Sequence, residues 1–400
     1  MVPVLLVLNA GSSSLKFQVF EAGDAGDPQR IFRGQFEGLG DAPHFSVRDG
    51  HDAVLVDRSW TEPFGHEQAL RELTSWLREH RGEYRLAAIG HRVVHGGIRH
   101  HGPVLVDDGV LRELEALEPL APLHQPHNLE PIRIVRSMMP DLPQVACFDT
   151  AFHRRQPEVA QLFALPQDMI RMGVRRYGFH GLSYEYIASV LSDYDAALAS
   201  GRVVVAHLGN GASLCALAKG ESVATTMGFS ALEGLPMGTR CGSLDAGVVF
   251  FMLRELRLSP AEAEQILYKK SGLLGLSGLT NDMRKLRSAA PTNRDARLAI
   301  DVFVYRIVRE IGSLIAALGG IDGIVFTAGI GEHDVATRSE VLRGLAWAGF
   351  ELDEAANADG GPRITRQGAA AAWVIPTNEE LSIARGMVSA LSDTRRAVAV

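Results

Sequence analysis

The chain has 400 residues and a formal net charge of −7 at neutral pH. This length exceeds what one hydrophobic core usually supports, so the sequence predicts two domains. An acidic balance argues against general nucleic-acid binding, which favours a basic surface. The 46% hydrophobic and 22% charged residues are typical of a soluble globular protein.

The cysteines and the apolar segments indicate a cytoplasmic protein without a membrane anchor. Cys147, Cys215 and Cys241 form an odd set without CxxC spacing, which fits a reducing compartment and no structural zinc site. The N-terminal "MVPVLLVLNAG" lacks a basic leader and predicts a first strand instead of a signal peptide. The apolar region 311–331 is interrupted by Gly-Gly-Ile-Asp-Gly, which favours a buried helix, a turn and a strand over a membrane span.

The first predicted element is a hairpin in "VLNAGSSSLKFQVF", with strands at Val4–Leu8 and Leu15–Phe20. Asn, Gly and Ser are ordinary hairpin-turn residues. They also let backbone N–H groups approach phosphate oxygens, and Lys16 adds a positive charge. The turn alone leaves both readings open.

Further strands and helices follow in the first 150 residues. The sequence predicts a strand at Ala53–Val56 and, from its apolar spacing, a helix at Glu67–Glu79. "LAAIGHRVVHGG" and "QVACFDTAFH" predict two short buried strands, each ending in a polar loop. Asp149 in the second loop could ligate a cation or orient a nucleophile, although its residue type and position favour a simple helix N-cap.

From about Gly201 the pattern starts again. "RVVVAHLGNGASLCAL" repeats the layout of strand, Gly-rich turn and strand, and "GIVFTAGIGEH" predicts a buried strand ending in Gly-Ile-Gly. Helices are expected at Ser183–Leu191 and Asp295–Leu318. Two similar strand–turn–strand units, each followed by α/β material, predict a duplicated domain with a cleft between the copies.

The last element, "VIPTNEELSIARGMVSAL", predicts a strand followed by a helix. Thr377 and Glu380 fit the capping box in which a hydroxyl and a carboxylate satisfy free N–H groups. This interpretation gives Glu380 a structural role and leaves Glu379 available for chemistry.

Three Gly-rich turns stand at the ends of predicted strands, although neither GxxxxGK[ST] nor a Rossmann GxGxxG after the first strand is present. They are Asn9–Lys16, His207–Ser213 and Gly329–Gly331. Each turn alone is weak evidence, because most such turns bind nothing. Together, in a duplicated α/β chain, they indicate a nucleotide cleft.

Some loop side chains are candidates for anion binding. Arg92 and Arg240 lie beside glycines and apolar residues, where guanidinium groups can hold carboxylate or phosphate bidentately. His124 and His180 are flanked by aromatic, Gly and Pro residues, although a lone histidine is usually structural. No HExxH spacing appears, which argues against a zinc site.

Taken together, these segments resemble the acetate kinase family, within the acetate and sugar kinase/Hsp70/actin superfamily. The matching segments run in family order from residue 9 to 381: "NAGSSSLKF", "GHRVVHGG", "LAPLH", "FDTAFH", "RRYGFHG", "HLGNGAS", "LEGLPMGTRCG", "FTAGIGEH" and "IPTNEEL". A set in this order is far more specific than any one motif. The opening turn therefore matches the first phosphate-binding turn of that superfamily.

The resemblance implies reversible phosphoryl transfer from ATP to acetate, giving ADP and acetyl phosphate, with Mg²⁺ or alternatively Mn²⁺ as the cofactor. It implies a catalytic set of Asp149, His180 and Arg240, and a metal site at Asn9 and Glu379. The substrate positions that it implies are Arg92, Val94, Leu123, His124, Phe179 and Ala231. The nucleotide positions are Lys16, His207, Leu208, Gly209, Asn210, Gly211, Asp282, Met283, Arg284, Gly329, Ile330, Gly331, Glu332 and His333.

The resemblance also implies the fold and the assembly. We expect two duplicated RNase H-like α/β domains, of the actin/Hsp70 ATPase type, flanking a nucleotide cleft. The expected first domain is residues 1–150 with a returning helix at 381–400, and the second is 151–380. A homodimer is expected from the family, with acetate and ATP as the small-molecule partners and no nucleic acid.

The chain departs from the family pattern near the proposed site, and alternatives remain. Ala231 stands where proline is usual beside the methyl pocket, Gln125 replaces asparagine after "PLH", and "GLSY" replaces "GTSH" after His180. A propionate kinase is the nearest alternative, followed by a butyrate kinase and a sugar kinase. A non-enzymatic actin- or Hsp70-like ATP switch is the alternative from another class.

Overall fold

The computed structural model describes residues 1–22, 27–79 and 84–398, with side chains up to residue 392. Contacts within the chain separate two units, Met1–Phe152 with Asn378–Val400, and His153–Thr377. The assignment of residues 1–150 with 381–400 and of 151–380 to two RNase H-like domains stays a prediction.

The first unit is built on an eight-stranded sheet in the order β5-β4-β3-β2-β1-β6-β8-β7. Strands β1 to β5 form an antiparallel meander, whereas β1, β6 and β8 run parallel to one another. The strands are β1 (Val2–Gly11), β2 (Ser14–Glu21), β3 (Gln29–Glu37), β4 (His44–Asp49), β5 (Val54–Ser59), β6 (Tyr84–Val93), β7 (Val104–Leu105) and β8 (Gln144–Phe148).

Aromatic side chains fill the core between this sheet and its first helix. Phe36 and Phe45 on neighbouring strands stack with ring centroids 4.2 Å apart, and Phe45 meets Trp76 edge to face. Such pairs contribute beyond the apolar area that they bury. The described part of the chain before the second unit has three α-helices, α1 (His66–Glu79), α2 (Asp108–Glu115) and α3 (Gln125–Met138).

The second unit carries a five-stranded sheet in the order β11-β10-β9-β12-β13. Its strands are β9 (Arg202–Leu208), β10 (Ala212–Ala218), β11 (Glu221–Thr225), β12 (Gly323–Thr327) and β13 (Ala371–Val374). Strand β9 pairs antiparallel with β10 and parallel with β12, which pairs parallel with β13. The order and directions match those of β3-β2-β1-β6-β8, so the expected α/β class and the duplication are confirmed.

Helices cover the second sheet. The longest, α12, is capped by Asn293, whose side chain accepts from two backbone N–H groups, and it ends at Gly319 in the left-handed region. The helices are α4 (Glu158–Gln161), α5 (Gln167–Arg171), α6 (Gly181–Tyr194), α7 (Ala196–Ala199), α8 (Ala246–Arg254), α9 (Pro260–Lys269), α10 (Gly272–Ser277), α11 (Met283–Ala289), α12 (Arg294–Leu318), α13 (Ala328–His333), α14 (Val335–Gly344) and α15 (Glu354–Ala358). Throughout the described ranges, no helix is long and apolar enough to cross a bilayer.

The C-terminal helix α16 (Glu379–Val398) belongs to the first unit and packs on its parallel strands. A Cβ atom added at Gly90 on β6 would lie 2.4 Å from the sulfur of Met387, so glycine is needed for this close approach.

The structure corrects three local predictions. The opening hairpin turn is shorter than expected, because the strands continue to Gly11 and resume at Ser14. The Gly-Ile-Gly segment lies in α13 instead of a turn. The predicted capping box is wrong: helix α16 begins one residue later than Thr377 would require, and Asn378 accepts the hydrogen bond from the Leu381 N–H.

Two buried histidines predict how the stability of the protein responds to acid. Burial lowers the pKa of His91 to about 4, although its hydrogen bond to Gln144 opposes the shift, and burial also lowers the pKa of His153 to about 4. The unfolded chain therefore binds protons that the folded protein does not bind. The contribution of these two neutral histidines to the free energy of unfolding is fully present above the ordinary histidine pKa. It is lost as the pH falls from about 6.5 towards 4.

We expect His91→Gln to flatten this pH dependence. The glutamine keeps an N–H donor for Gln144 but cannot titrate, and one titrating group contributes at most about 1.4 kcal/mol per pH unit. Urea unfolding of both proteins at about pH 7 and about pH 5 measures the difference. The same pH slope in both would show that His91 is not a source of the acid sensitivity.

Candidate active site

In the first unit, the carboxyl ends of three neighbouring parallel strands bring candidate residues together. Asn9 lies near the end of β1, Arg92 near the end of β6, and Asp149 directly after β8. The register pairs Leu8 with His91 and Arg92 with Cys147, so these positions are adjacent across the sheet. This edge is where open α/β sheets usually bind ligands.

Arg92 is held between carboxylates. Its Nε and Nη2 atoms donate to the two oxygens of Asp149 at 3.1 and 2.8 Å, and Nη1 lies 3.4 Å from Glu379. The Asp149 side chain is only 3% exposed and that of Arg92 20%. Burial acts to lower the pKa of Arg92, but the charges of Asp149 and Glu379 outweigh it and raise the pKa. The N-cap interpretation of Asp149 therefore gives way to an ion pair.

The same region carries more negative than positive charge. Burial raises the pKa of Glu380, and the neighbouring Glu379 carboxylate raises it further, while Arg92 and Lys16 oppose the shift. Lys16 on β2 stands directly opposite Asn9 on β1. Glu380, which the sequence assigned to a helix cap, thus belongs to this charged cluster.

The loop after β6 is fixed by buried amides. Asn128 accepts from the Val94 N–H at 3.0 Å and donates to the carbonyl of Ala10. Gln125, the departure from the family pattern, is fully buried, and it bonds both the N–H and the carbonyl of His95. Val94 is 8% exposed, while Leu123 and His124 just before α3 are half-buried.

In the second unit, His180 and His207 stack face to face with ring centroids 4.2 Å apart. Ser213 lies 2.8 Å from Nδ1 of His180, and Ser183 lies 2.8 Å from Nδ1 of His207. Ser183 also bonds the hydroxyl of Thr377. A hydroxyl thus holds each imidazole in a fixed orientation.

His180 also has unusual backbone geometry. Its φ of +58° is in the left-handed region, which costs a non-glycine residue roughly 1–2 kcal/mol. A Cβ atom at Gly211 would lie 3.2 Å from its Nε2, so this nitrogen faces the Gly-rich turn after β9. Strained backbone of this kind is found preferentially at functional sites.

Arg240 contacts another predicted residue. Its Nη1 donates to the carbonyl of Ala231 at 2.9 Å, and the side chain is half-buried. Phe179, at 2% exposure, is part of the core, and its carbonyl lies 3.0 Å from Nε2 of His153. Thus the backbone carbonyl of Ala231 orients Arg240, and this contact does not depend on the side chain at position 231.

A cavity of about 650 Å³ collects the three predicted nucleotide segments of the second unit. The turn after β9 contributes Gly209 and Asn210, the start of α11 contributes Asp282, Met283 and Arg284, and α13 contributes Gly329, Ile330 and His333. Asn281, Arg287 and Asp334 also line it. The Arg284 guanidinium beside Asp282 holds the pKa of that carboxyl below its usual range.

Sequence reasoning missed a buried arginine that supports this cavity. Arg338 is fully buried and donates to the carbonyls of Gly331 and Glu332 and to the side chain of Asn357. Glu332, predicted to bind nucleotide, accepts from the N–H groups of Ala328 and Thr377. Nothing in the local sequence distinguishes Arg338 from a surface arginine, because its hydrogen bonds to α13 and to Asn357 form only when these helices pack together.

The duplicated strand order, with polar residues at the carboxyl ends of the parallel strands, defines a two-domain α/β kinase fold of the acetate and sugar kinase/Hsp70/actin type. The chain belongs to the acetokinase family, whose model matches residues 4–385.

Relatives and solved structures agree with this assignment. The chain is 52% identical to an acetate kinase of Rhodopseudomonas palustris, over 96% of this chain and 97% of the relative. It is 42% identical to an acetate kinase of Clostridium botulinum, over 95% and 98%. A propionate kinase from Francisella tularensis superposes with a TM-score of 0.90 at 35% identity, covering 96% and 98%. An acetate kinase from Porphyromonas gingivalis gives 0.86 at 34%, covering 97% and 100%.

The ion pair at Arg92 predicts a large stability effect. Asp149→Ala should lower the free energy of unfolding by about 3 kcal/mol, because it removes the bidentate partner of a mostly buried guanidinium. Glu354→Ala, which breaks a pair with Arg343 that is more than half exposed, should cost about 0.5 kcal/mol or less. Urea unfolding compares them, and equal losses would contradict a structural role for the Arg92–Asp149 pair.

Proposed function

We propose that this protein transfers the γ-phosphoryl group of ATP reversibly and directly to acetate, giving acetyl phosphate and ADP. The observation that carries the proposal is 52% identity, over nearly the whole chain, to a protein named acetate kinase. The carboxylate-held arginine and the glycine-lined cavity support it, because they suit a small carboxylate and a nucleotide respectively.

Arg92 binds the carboxylate of acetate in this proposal. The guanidinium has five N–H donors, so it can contact a substrate while Asp149 fixes its orientation. We propose that Val94, Leu123, His124, Phe179 and Ala231 are substrate-binding positions, as the family resemblance implies.

No general base is needed for this reaction. A free carboxylic acid titrates near ~4, so acetate is already a nucleophile at neutral pH. We therefore assign Asp149 to positioning, and its bidentate contact with Arg92 supports that role.

Arg240 and His180 stabilise charge on the transferring phosphoryl group. Phosphoryl transfer depends mainly on in-line positioning and on positive or hydrogen-bonding groups around the equatorial oxygens. Lys16 and the segments His207–Gly211, Asp282–Arg284 and Gly329–His333 hold the nucleotide.

We propose that Asn9 and Glu379 hold Mg²⁺, with Mn²⁺ as the alternative. Within the described residues, no group of three His, Cys, Asp or Glu side chains forms a preassembled metal site. Mg²⁺ needs only one or two carboxylates, because it keeps water and phosphate ligands. The residues fit such an ion, since Glu379 and Glu380 repel one another and a cation would relieve that repulsion. The bound ion would neutralise developing negative charge.

We further propose a cytoplasmic homodimer. Cys147, Cys215 and Cys241 form no disulfide bond among the described residues, as in a reducing compartment. Helix α8 buries none of its side chains, and Phe250 and Phe251 on it are each 52% exposed. Exposed apolar patches of this kind mark protein contacts.

The first test measures kcat/KM for acetate, propionate and butyrate with Mg-ATP, while hydroxylamine traps the acyl phosphate. We expect acetate to be preferred and propionate to be used roughly 10–200-fold less well, because one methylene is worth only about 1–3 kcal/mol in an apolar pocket. Ala231→Pro restores the usual family residue and should reduce propionate use while leaving acetate use intact.

A preference for propionate would support the alternative substrate with the same mechanism. Equal exclusion of propionate and butyrate would contradict the expectation that the methyl pocket admits one further methylene group. No acyl phosphate from any of the three acids would favour the ATP-switch alternative.

A second test concerns Asp149. We expect Asp149→Asn to lower kcat steeply, by about 100-fold or more, because Arg92 loses a charged partner. The acidic limb of the pH–rate profile should stay where it is, since no proton is abstracted. Steady-state kinetics across the pH range measure both effects, and a displaced acidic limb would instead assign Asp149 as a base.

A further inference from the structure

Behind the stacked histidines, a buried chain of hydroxyl groups ends on His180. The Tyr184 hydroxyl lies 2.5 Å from the Ser213 hydroxyl, which in turn lies 2.8 Å from Nδ1 of His180. Tyr184 and Ser213 are fully buried. We infer that Tyr184 and Ser213 are positioning residues that hold His180 as the neutral tautomer with its proton on Nε2. This inference rests on the role proposed for His180 in phosphoryl transfer.

Regular secondary structure fixes the positions of the Tyr184 and Ser213 hydroxyl groups relative to His180. Tyr184 lies one helical turn after His180, and its N–H donates to the His180 carbonyl at 3.1 Å. Ser213 stands on β10 directly opposite His207 on β9. Its hydroxyl therefore approaches from the sheet while Tyr184 approaches from α6, and Nδ1 of His180 is fixed between two rigid elements.

The direction of the hydrogen bonds follows from acidity. A phenol, with a pKa near ~10, is a better proton donor than an aliphatic alcohol, so Tyr184 donates to Ser213. The single proton of Ser213 is then directed at Nδ1 of His180, which must accept it. A neutral imidazole that accepts at Nδ1 carries its proton at Nε2.

The second ring nitrogen of His180, Nε2, faces the Gly-rich turn. Nε2 of His180 would lie 3.2 Å from a Cβ atom at Gly211, one of the predicted nucleotide-binding residues. An Nε2–H there can donate to a phosphoryl oxygen, whereas the opposite tautomer would present a lone pair and repel it. The hydroxyl chain thus decides whether His180 can stabilise the transferring group.

This arrangement uses a residue in which the chain departs from its family pattern. Tyr184 occupies the last position of "GLSY", where the family commonly has histidine. A phenol reaches Ser213 with a defined donor, whereas a neutral histidine could present either nitrogen. In this protein the tautomer of His180 is therefore set by the hydroxyl groups of Tyr184 and Ser213.

The five-stranded sheet that carries Ser213 also offers a matched control. Ser222 lies 2.8 Å from Nδ1 of His153, and both side chains are buried. Ser222→Ala removes the same kind of buried serine–histidine hydrogen bond as Ser213→Ala, but at His153, to which the proposed reaction assigns no role although its ring meets that of Tyr184 edge to face.

The tautomer is tested directly by long-range proton–nitrogen NMR of protein labelled in its histidine rings, with His180→Gln identifying the His180 signals. We expect the Nε2–H pattern in the unsubstituted protein, a shift towards the Nδ1–H form in Ser213→Ala, and no change in Ser222→Ala. This readout does not depend on activity. An Nδ1–H pattern in the unsubstituted protein, or no shift in Ser213→Ala, would overturn the inference.

Kinetics provide the second readout. We expect Ser213→Ala to lower kcat about tenfold, equivalent to 1.36 kcal/mol in activation free energy, with both KM values within about twofold. Tyr184→Phe should lower kcat by a smaller factor. Ser213→Thr keeps the hydroxyl group and should have the kcat of the unsubstituted protein, and Ser222→Ala should leave kcat unchanged. Equal losses in Ser213→Ala and Ser222→Ala would mean that only packing was disturbed.

Failure of the proposed function gives a different result. In that case the unsubstituted protein makes no acyl phosphate from any short carboxylate, yet the NMR pattern of His180 still responds to Ser213→Ala. If Ser213→Ala does not fold, Tyr184→Phe keeps the test decisive, because it removes one hydroxyl and leaves the ring in place. A tautomer unaffected in Tyr184→Phe would then overturn the role of the phenol.

Discussion

Parallel strands end at the same edge of a sheet, and both units of this protein depend on that constraint. In the first unit it brings Arg92 and Asp149 close enough for a bidentate ion pair. In the second it places the turn after β9 beside Thr327 at the end of β12, since Thr327 pairs with His207. The same strand order in both sheets therefore produces two polar edges with different chemistry.

The first polar edge is organised by charge that burial makes costly. Asp149 is almost fully buried, and the Arg92 guanidinium that contacts both of its oxygens stabilises the ionised form. Glu379 and Glu380 add negative charge that Arg92 and Lys16 balance only in part. An excess of negative charge of this kind favours the approach of a cation.

The second edge is organised by neutral hydrogen bonds and small residues. Ser213 and Ser183 fix two stacked imidazoles without adding charge, and glycine at 211 leaves room for one of them. Arg338, buried beneath the cavity, fixes the carbonyls of α13. Rigidity of this kind is useful where a nucleotide must be held in one orientation. The side chains lose their conformational entropy when the protein folds and therefore not when the ligand binds.

The sequence by itself determined the α/β class, the duplication, most strands and helices, and the segments proposed for the site, because periodicity and Gly-rich turns are local signals. Only the tertiary structure decided how those segments are used. It moved the helix cap to Asn378, gave Asp149 a guanidinium partner, and buried Arg338 against the carbonyls of α13 and the side chain of Asn357. Partners that lie dozens of residues apart, such as Arg92 and Asp149, meet only when strands pair, so no local pattern can specify them.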